Sequence, residues 1–349
     1  MMWSISFSYR LGLGFHALNN EGSDGSNLMQ PRRIDVGRFT YDGISGEMIR
    51  RHVLENFVRL CESGKIDVLP ASKALHPDRG PIALRQVAKE DLKAETLNKK
   101  NVFKAARLAV KKCALVDVGG YLAAFSKESS AGGIPESELE KAIAPVAKEA
   151  DRPYTVKRDS VFDVGWLISE EPQEMTITQH AAYRPTGDQS LFSQTMRSNT
   201  YAGVMRADLH RIGTDDYWYL DREGGKDVSR LAIADQRQRQ KTLTQAMIDY
   251  LASPTGAKVA GWAPHVFKTE GAILLTSTRT APFASPIKVD LTDPQADPIA
   301  RDPEYQSRIK QLADANGADT YCWLFSDVKT LLEAGKAILK KLDDTDAES

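Results

Sequence analysis

The stretch YDGISGEMIRRHVLENFVR, residues 41–59, decides the fold because it ends a polar loop and begins a helix. Ser45 stands one residue before the helical pattern, so its hydroxyl is predicted to accept a backbone N–H that the first turn leaves unpaired. Apolar residues then recur along one helical face, at Ile49, Val53, Phe57 and Leu60. The stretch therefore predicts an amphipathic helix that is capped by Ser45.

The start of this helix combines small residues with cations. Arg50 and Arg51 begin the exposed face, and Glu47 stands in the first turn, where the helix dipole favours an acid. The Ser45-Gly46 pair is predicted to leave the first backbone N–H groups accessible, which next to arginines indicates a place for a phosphate. A well-capped amphipathic helix without a ligand explains the same residues and is the plainer alternative.

Composition limits the classes of protein to consider. The chain has 349 residues, 42% hydrophobic and 27% charged, which suits one large domain or two ordinary ones. Neither a signal peptide nor an apolar membrane span is visible, and three distant cysteines do not suggest a disulfide framework or a zinc site, so we expect a cytoplasmic protein. A net charge of −1 counts against a free-standing nucleic-acid-binding domain, which is usually basic.

Residues 3–13 alternate strictly between apolar and polar side chains. This pattern predicts a half-buried strand whose second face is polar and small, with Ser4, Ser6, Ser8, Arg10 and Gly12.

A predicted loop of nearly thirty residues follows, and loops of that length are usually functional. It carries donors suited to phosphate and sugar oxygens, namely Asn19, Asn20, Asn27, Arg32 and Arg33. A mobile surface loop is an equally good interpretation. Its acids Asp24, Asp35 and Asp42 could hold a divalent cation, although acids in such loops commonly serve turns.

Residues 61–158 are interpreted as a helical insertion, with helices at 83–92 and 135–150. Residues 98–113 contain six cations and no acid, which indicates a basic stripe that is either a solvated face or a contact for an anionic partner. A second basic cluster on a helix predicted at 235–251 consists of Arg237, Arg239 and Lys241.

Strands return at 160–169, 174–180 and 201–212, and the polar stretch between the last two predicts a hairpin with a projecting tip. The tip carries Gln179, His180, Arg184, Gln194 and Arg197, although a lone histidine on a strand is more often structural. Further strands at 272–278 and 320–325, helices at 304–315 and 328–342, and an acidic tail at 343–349 that is predicted to be disordered complete the pattern. Strands and helices in this order around one insertion predict an α+β ferredoxin-like sheet.

Motifs for common catalytic chemistry are missing: the sequence has no phosphate-loop, metalloprotease or hydrolase motif, and the GLG at 12–14 precedes no helix. No cofactor and no resident metal are therefore predicted.

Several segments resemble a known family. The order of HALNNEG (16–22), the N-x-x-x-PRR pattern (27–33) and GISGEMIRRH (43–52) is similar to that of the CRISPR-associated Cascade backbone subunit, the Cas-seven family of DevR type. YAGVMRADLHRIG (201–213) and ASPIKVDL (284–291) are similar too, whereas the insertion resembles the family least.

The resemblance implies an RRM-like palm at 1–60 and 159–342, a thumb hairpin near 174–205 and a helical fingers insertion at 61–158. Members of the family form a helical filament along CRISPR RNA in antiviral defence, as non-catalytic subunits of type I interference complexes. The resemblance also implies a set of RNA-binding residues, namely Asn19, Asn20, Asn27, Arg32, Arg33, Ser45, Gly46, Arg50 and Arg51. It further implies a thumb that carries His180, Arg184 and Arg197.

The implied partners are CRISPR RNA, further copies of the chain, the repeat-handle, large and small subunits, and target DNA, with no membrane. Two alternatives stay open. Related subunits of type III complexes are metal-dependent endoribonucleases, a role that would need Asp24 or Asp35. The DevR label also suggests a DNA-binding autoregulator, although the sequence shows no helix-turn-helix.

Overall fold

The fold of the chain, taken from a computed structural model, mixes α-helices with a mainly antiparallel sheet. The structure describes residues 2–18, 20–23, 28–69, 73, 75–125, 154–172, 176–183, 189–217, 231–256, 265–277 and 280–344. Its strands are β1 (Ser4–His16), β2 (Asn20–Ser23), β3 (Leu28–Pro31), β4 (Arg33–Val36), β5 (Phe39–Ile44), β6 (Tyr121–Phe125), β7 (Tyr154–Arg158), β8 (Phe162–Val164), β9 (Leu167–Pro172), β10 (Thr176–Tyr183), β11 (Gln189–Ala207), β12 (Val266–Thr276), β13 (Ile287–Val289), β14 (Ile299–Arg301) and β15 (Thr320–Phe325). Its helices are α1 (Gly46–Ser63), α2 (Arg79–Glu90), α3 (Val102–Lys112), α4 (Ala114–Gly119), α5 (Ile233–Ala252), α6 (Tyr305–Asn316) and α7 (Val328–Asp344), and Leu209–Arg211 forms a 3-10 turn. The predicted α+β class is confirmed.

The main sheet is built around β1. Its strand order is β15-β12-β1-β11-β9-β5-β4, and β1 is antiparallel to both β11 and β12. In the register, Tyr9 lies opposite Gly203 on one side and Gly271 on the other. Helix α1 follows β5 in the chain, and α5 lies in the chain between β11 and β12.

Strand β1 is buried on both faces, so the prediction of a half-buried strand is wrong. The polar face is covered by residues 281 and 282: the Ser6 hydroxyl donates to the carbonyl of Pro282 at 2.6 Å, and the Ala281 N–H donates to the Ser4 hydroxyl. Arg10 is buried there as well, since Glu170 and Glu270 both accept hydrogen bonds from its guanidinium. Ser4, Ser6 and Arg10 thus each have a hydrogen-bond partner from another part of the chain, which offsets the cost of burying them.

The long first loop contains strands, and the prediction of a structureless segment is therefore wrong. β2 pairs with β3, and β4 pairs with β5 in a hairpin that places Arg33 opposite Asp42. Within the predicted loop, residues 19 and 24–27 lie outside the described residues.

Contacts divide the chain into two compact units. The first consists of residues 1–53, 163–207 and 247–349, and the second of residues 54–162 and 208–246. Inside the second unit the carboxylate of Asp117 is fully buried and accepts hydrogen bonds from Arg158, Arg239 and the backbone N–H of Gly213. The second unit therefore contains segment 208–246 in addition to most of the predicted insertion, whose helix at 135–150 lies outside the described residues.

The basic stripe on α3 has counter-charges that the local sequence does not reveal. The Arg107 guanidinium lies 2.8 Å from Asp215, and Lys112 pairs with Asp91. In the second basic cluster Arg239 is buried and donates to the Val110 carbonyl as well as to Asp117. Interpreting the stripe at 98–113 as a solvated or anion-binding face is therefore wrong for Arg107.

The remaining elements follow the predicted pattern with shifted ends. The strand predicted at 160–169 is broken into β8 and β9, and β11 ends at Ala207 because the 3-10 turn follows. The hairpin is confirmed as β10 and β11, paired from Thr176 with Met196 to Tyr183 with Gln189. α7 runs to Asp344, beyond the predicted start of the tail. Among the described helices, none combines the length and the apolarity that crossing a bilayer requires.

Candidate nucleic-acid interface

The first element of the candidate interface is the start of α1. The Met48 N–H lies 3.3 Å from the Ser45 hydroxyl oxygen, and the Met48 and Ile49 N–H groups also donate to the Ser45 carbonyl. Ser45 itself is buried. The predicted cap is confirmed, and it fixes the direction in which the helix leaves β5.

Gly46 is required by close packing against the chain's own backbone. A Cβ atom at this position would lie 2.1 Å from the carbonyl oxygen of Val164 and 2.9 Å from that of Gly165. The segment 164–166, from the end of β8 to the start of β9, therefore lies directly against the first turn of α1. The backbone of residues 164 and 165 covers one side of this turn, so the turn is less accessible than the sequence predicts.

The same segment brings an aromatic ring beside a predicted RNA-binding arginine. The Cζ atom of Arg32 lies 5.2 Å from the ring centroid of Trp166, in cation–π geometry. The Trp166 ring also reaches β5, because a Cβ at Gly43 would lie 3.4 Å from its Cε3 atom. Arg32, Trp166 and the start of α1 are thus brought together, and sequence reasoning missed Trp166 because a single tryptophan after Gly165 carries no motif.

The other described arginines occupy different environments. Arg33 is exposed on β4, Arg51 is exposed on α1, and Arg50 is half-buried. These three cations lie on the β4–β5 hairpin and the helix that follows it, which keeps them close in the chain to Ser45.

Asp42 of β5 belongs to a buried polar cluster with His16, Arg197 and Tyr201, which sequence reasoning did not assemble. The Arg197 Nε–H donates to an Asp42 carboxylate oxygen at 2.6 Å, and the Tyr201 hydroxyl donates to the same oxygen. Burial raises the pKa of Asp42, while Arg197 and the Tyr201 hydroxyl favour its charged form. The cluster joins the end of β1, β5 and the middle of β11.

Hydrogen bonding defines the proton positions on His16. The Leu18 N–H donates to Nδ1 at 3.2 Å, so Nδ1 is an acceptor and the proton of the neutral ring is on Nε2. Nε2 lies 2.9 Å from the Tyr201 hydroxyl oxygen and donates to it. Burial, with a smaller effect of Arg197, lowers the pKa of His16 to about 3, so the ring is neutral at neutral pH.

Arg197, which was predicted to bind RNA from the thumb, lies in this cluster. Its side chain is 1% exposed and also donates to the Leu18 carbonyl. This arrangement positions the chain as it leaves β1 rather than presenting the guanidinium at the surface. An RNA contact by Arg197 stays a prediction.

The remaining predicted residues have no described side chains. His180 lies on β10, opposite Phe192 of β11, and Asn20 lies on β2, opposite Pro31. Asn19, Asn27 and Arg184 lie outside the described residues.

The proposed acidic ligands are not gathered into a metal site in the part of the chain that the structure describes. There, no group of three or more histidine, cysteine, aspartate or glutamate side chains is placed to hold an ion. Asp35 accepts a hydrogen bond from Thr40 at 2.8 Å, Asp42 belongs to the buried cluster, and Asp24 lies outside the described residues.

Comparison with known proteins defines the family. The family described as the CRISPR-associated negative auto-regulator DevR/Csa2 matches residues 7–296. The chain belongs to this family. No curated protein matches it.

Two solved chains are similar in structure at low identity. One, described as "CRISPR RNA-guided surveillance complex, pre-nicking", has a TM-score of 0.48 and 11% identity over 97% of this chain and 100% of its own. The other, described as "CRISPR RNA-guided surveillance complex", has a TM-score of 0.43 and 9% identity over 97% of this chain and 99% of its own.

Proposed function

We propose that the chain is a non-catalytic backbone subunit that binds CRISPR RNA and oligomerises along it in a type I Cascade interference complex. The observation that carries this proposal is membership of the DevR/Csa2 family across residues 7–296, which include the predicted loop and the start of α1. As part of such a complex the chain would support recognition of target DNA through the RNA that it holds.

The strand order supports a ferredoxin-like palm. The central strands β12-β1-β11-β9 follow the order 4-1-3-2 of the βαββαβ arrangement, with α1 after the first strand and α5 after the third. The β10–β11 hairpin supports a thumb, because its paired part extends past the residues of β11 that pair with β9. The compact second unit supports separate fingers.

The chemistry of the candidate interface suits RNA of variable sequence. A guide changes from one spacer to the next, so the protein has to hold phosphates, 2′-hydroxyls and shape instead of reading base edges. Arginines at 32, 33, 50 and 51 around a helix start provide that kind of contact. The near-neutral net charge fits a filament, in which many modest sites act on one strand while stacked copies repel each other little.

The sheet itself offers a further reason to place RNA near α1. RRM domains bind bases across the open face of the sheet. Here residues 281 and 282 lie across the polar side chains of β1, where Ser4 and Ser6 hydrogen-bond to them. RNA is therefore proposed to bind beside the β4–β5 hairpin and not across β1.

The partners proposed are CRISPR RNA, further copies of the chain, the other Cascade subunits and target DNA. The family description names a negative auto-regulator, so binding of the chain to double-stranded DNA is a second candidate activity to test beside it.

The test measures the affinity of the purified full chain for single-stranded RNA and for double-stranded DNA of equal length by fluorescence anisotropy. The mass of each complex is measured on a sizing column with light scattering. Arg33→Glu reverses one exposed charge at the candidate interface. Lys329→Glu makes the same change on α7, where the lysine is 84% exposed, and serves as the matched control.

The expected result is RNA binding with a rise in mass proportional to RNA length, weakened by Arg33→Glu and retained by Lys329→Glu. An equal loss of RNA affinity in both variants would show that binding depends only on net charge and that the RNA-binding site is elsewhere. A chain that binds duplex DNA but neither RNA nor itself would refute the backbone role in favour of the autoregulator.

A further inference from the structure

We propose that Trp166 is a stacking platform for a base of the bound RNA, beside Arg32. This inference rests on the proposed function, since it names a contact of the same ligand at the same surface. It adds a residue that the charge pattern of the sequence does not indicate.

The first argument is the exposure of a large aromatic ring. Trp166 is 46% exposed, although tryptophan is strongly buried on average. The ring is surrounded by functional candidates, because Arg32 lies over it and the backbone of residues 164 and 165 lies against Gly46. An exposed ring at this place offers a flat apolar surface beside the residues that are proposed to hold phosphates.

The second argument is the rigidity of the platform. Two glycines allow the segment 164–166 to approach β5 and α1: a side chain at Gly43 would meet Trp166 and Ile34, and one at Gly46 would meet the Val164 carbonyl. The ring is therefore positioned by backbone packing and not by a flexible loop. Little conformational entropy is lost when a ligand stacks on a ring that is already fixed.

The third argument is the pairing of the ring with a guanidinium. Arg32 contributes a planar cation that can stack and attract a phosphate, while Trp166 contributes an aromatic face. Stacking of this kind is tolerant of sequence because every base has a π-face. A scaffold for variable guides can use such a contact without selecting among them.

The experiment measures binding of two synthetic ligands by the full chain: a single-stranded RNA and an oligomer of the same length and charge whose nucleotides lack bases. Trp166→Ala removes the platform, and Trp166→Phe keeps an aromatic face. Trp3→Ala is the matched control, since it removes a second tryptophan of similar exposure, 39%.

We expect Trp166→Ala to bind RNA about 5- to 150-fold more weakly, with most of the affinity retained in Trp166→Phe and all of it in Trp3→Ala. The abasic oligomer should bind equally to the wild type and to Trp166→Ala, because it has no base to stack.

Other outcomes overturn the inference. RNA binding unchanged in Trp166→Ala, or reduced equally for both ligands, would exclude base stacking while leaving the proposed function intact. A loss of self-association without RNA, with no dependence on bases, would assign Trp166 to a contact with a second copy of the chain. Failure of the wild type to bind RNA would overturn the proposed function together with this inference.

Discussion

The buried imidazole of His16 predicts how the stability of the chain depends on pH. Its pKa in the folded state is about 3, below the value of about 6.5 that an unfolded chain gives. Below pH 6.5 the unfolded state therefore binds a proton that the folded state does not, so the free energy of unfolding falls as the pH falls from about 6.5 towards 3.

The size of the effect follows from the width of this interval. Each pH unit below the unfolded pKa removes about 1.4 kcal/mol, so between pH 7 and pH 5 His16 should lower the free energy of unfolding by about 2 kcal/mol. Protonation would place a hydrogen on Nδ1, which accepts the Leu18 N–H, and a charge next to Arg197. The hydrogen on Nδ1 and the charge next to Arg197 both destabilise the folded state.

The assay is urea denaturation at several pH values for the wild type and for His16→Gln, whose amide offers a donor and an acceptor without titrating. Asp42 has a raised pKa, so its own contribution to stability increases as the pH falls; it is present in both proteins and cancels in the difference. The wild type should lose about 2 kcal/mol more than the variant between pH 7 and pH 5. Parallel pH curves for the two proteins would refute the reasoning.

Three further substitutions test the packing described above. Asp117→Ala should lower the free energy of unfolding by about 3–5 kcal/mol, because the buried guanidiniums of Arg158 and Arg239 lose their shared carboxylate. Chemical denaturation measures this free energy. A change of only a few tenths of a kcal/mol would contradict the role of Asp117 as the partner of both arginines. Ser45→Ala should lower the stability by about 0.5–2 kcal/mol through the lost cap, and Gly46→Ala should lower it more, because the added methyl would overlap the Val164 carbonyl. The melting temperatures of Ser45→Ala and Gly46→Ala test this order of stabilities. A higher melting temperature for Gly46→Ala than for Ser45→Ala would contradict the packing at Gly46.

Local patterns were enough to predict individual elements. The apolar spacing after Ser45 identified α1, and strict alternation identified β1, because both depend on residues a few positions apart. The strand-helix order was also enough for the α+β class.

Environment was harder to predict than secondary structure, because it depends on residues distant in the chain. The alternation at β1 did not reveal that Ser6 is covered by Pro282, and the run of cations on α3 did not reveal Asp215 beside Arg107. At the candidate interface the sequence indicated Arg32 but not the tryptophan beside it, since only the fold brings residue 166 to Arg32.

The central position of β1 has a consequence for synthesis of the chain. Its two neighbours, β11 and β12, are made only after a further 170 to 260 residues or so, and at about 5–20 residues per second the strand waits roughly 10 to 50 s for both of them. Until β11 emerges, a long strand with a row of large apolar side chains has neither of its partners. Newly made chains should therefore depend on ribosome-associated chaperones, because the sheet cannot close until the last partner strand has emerged.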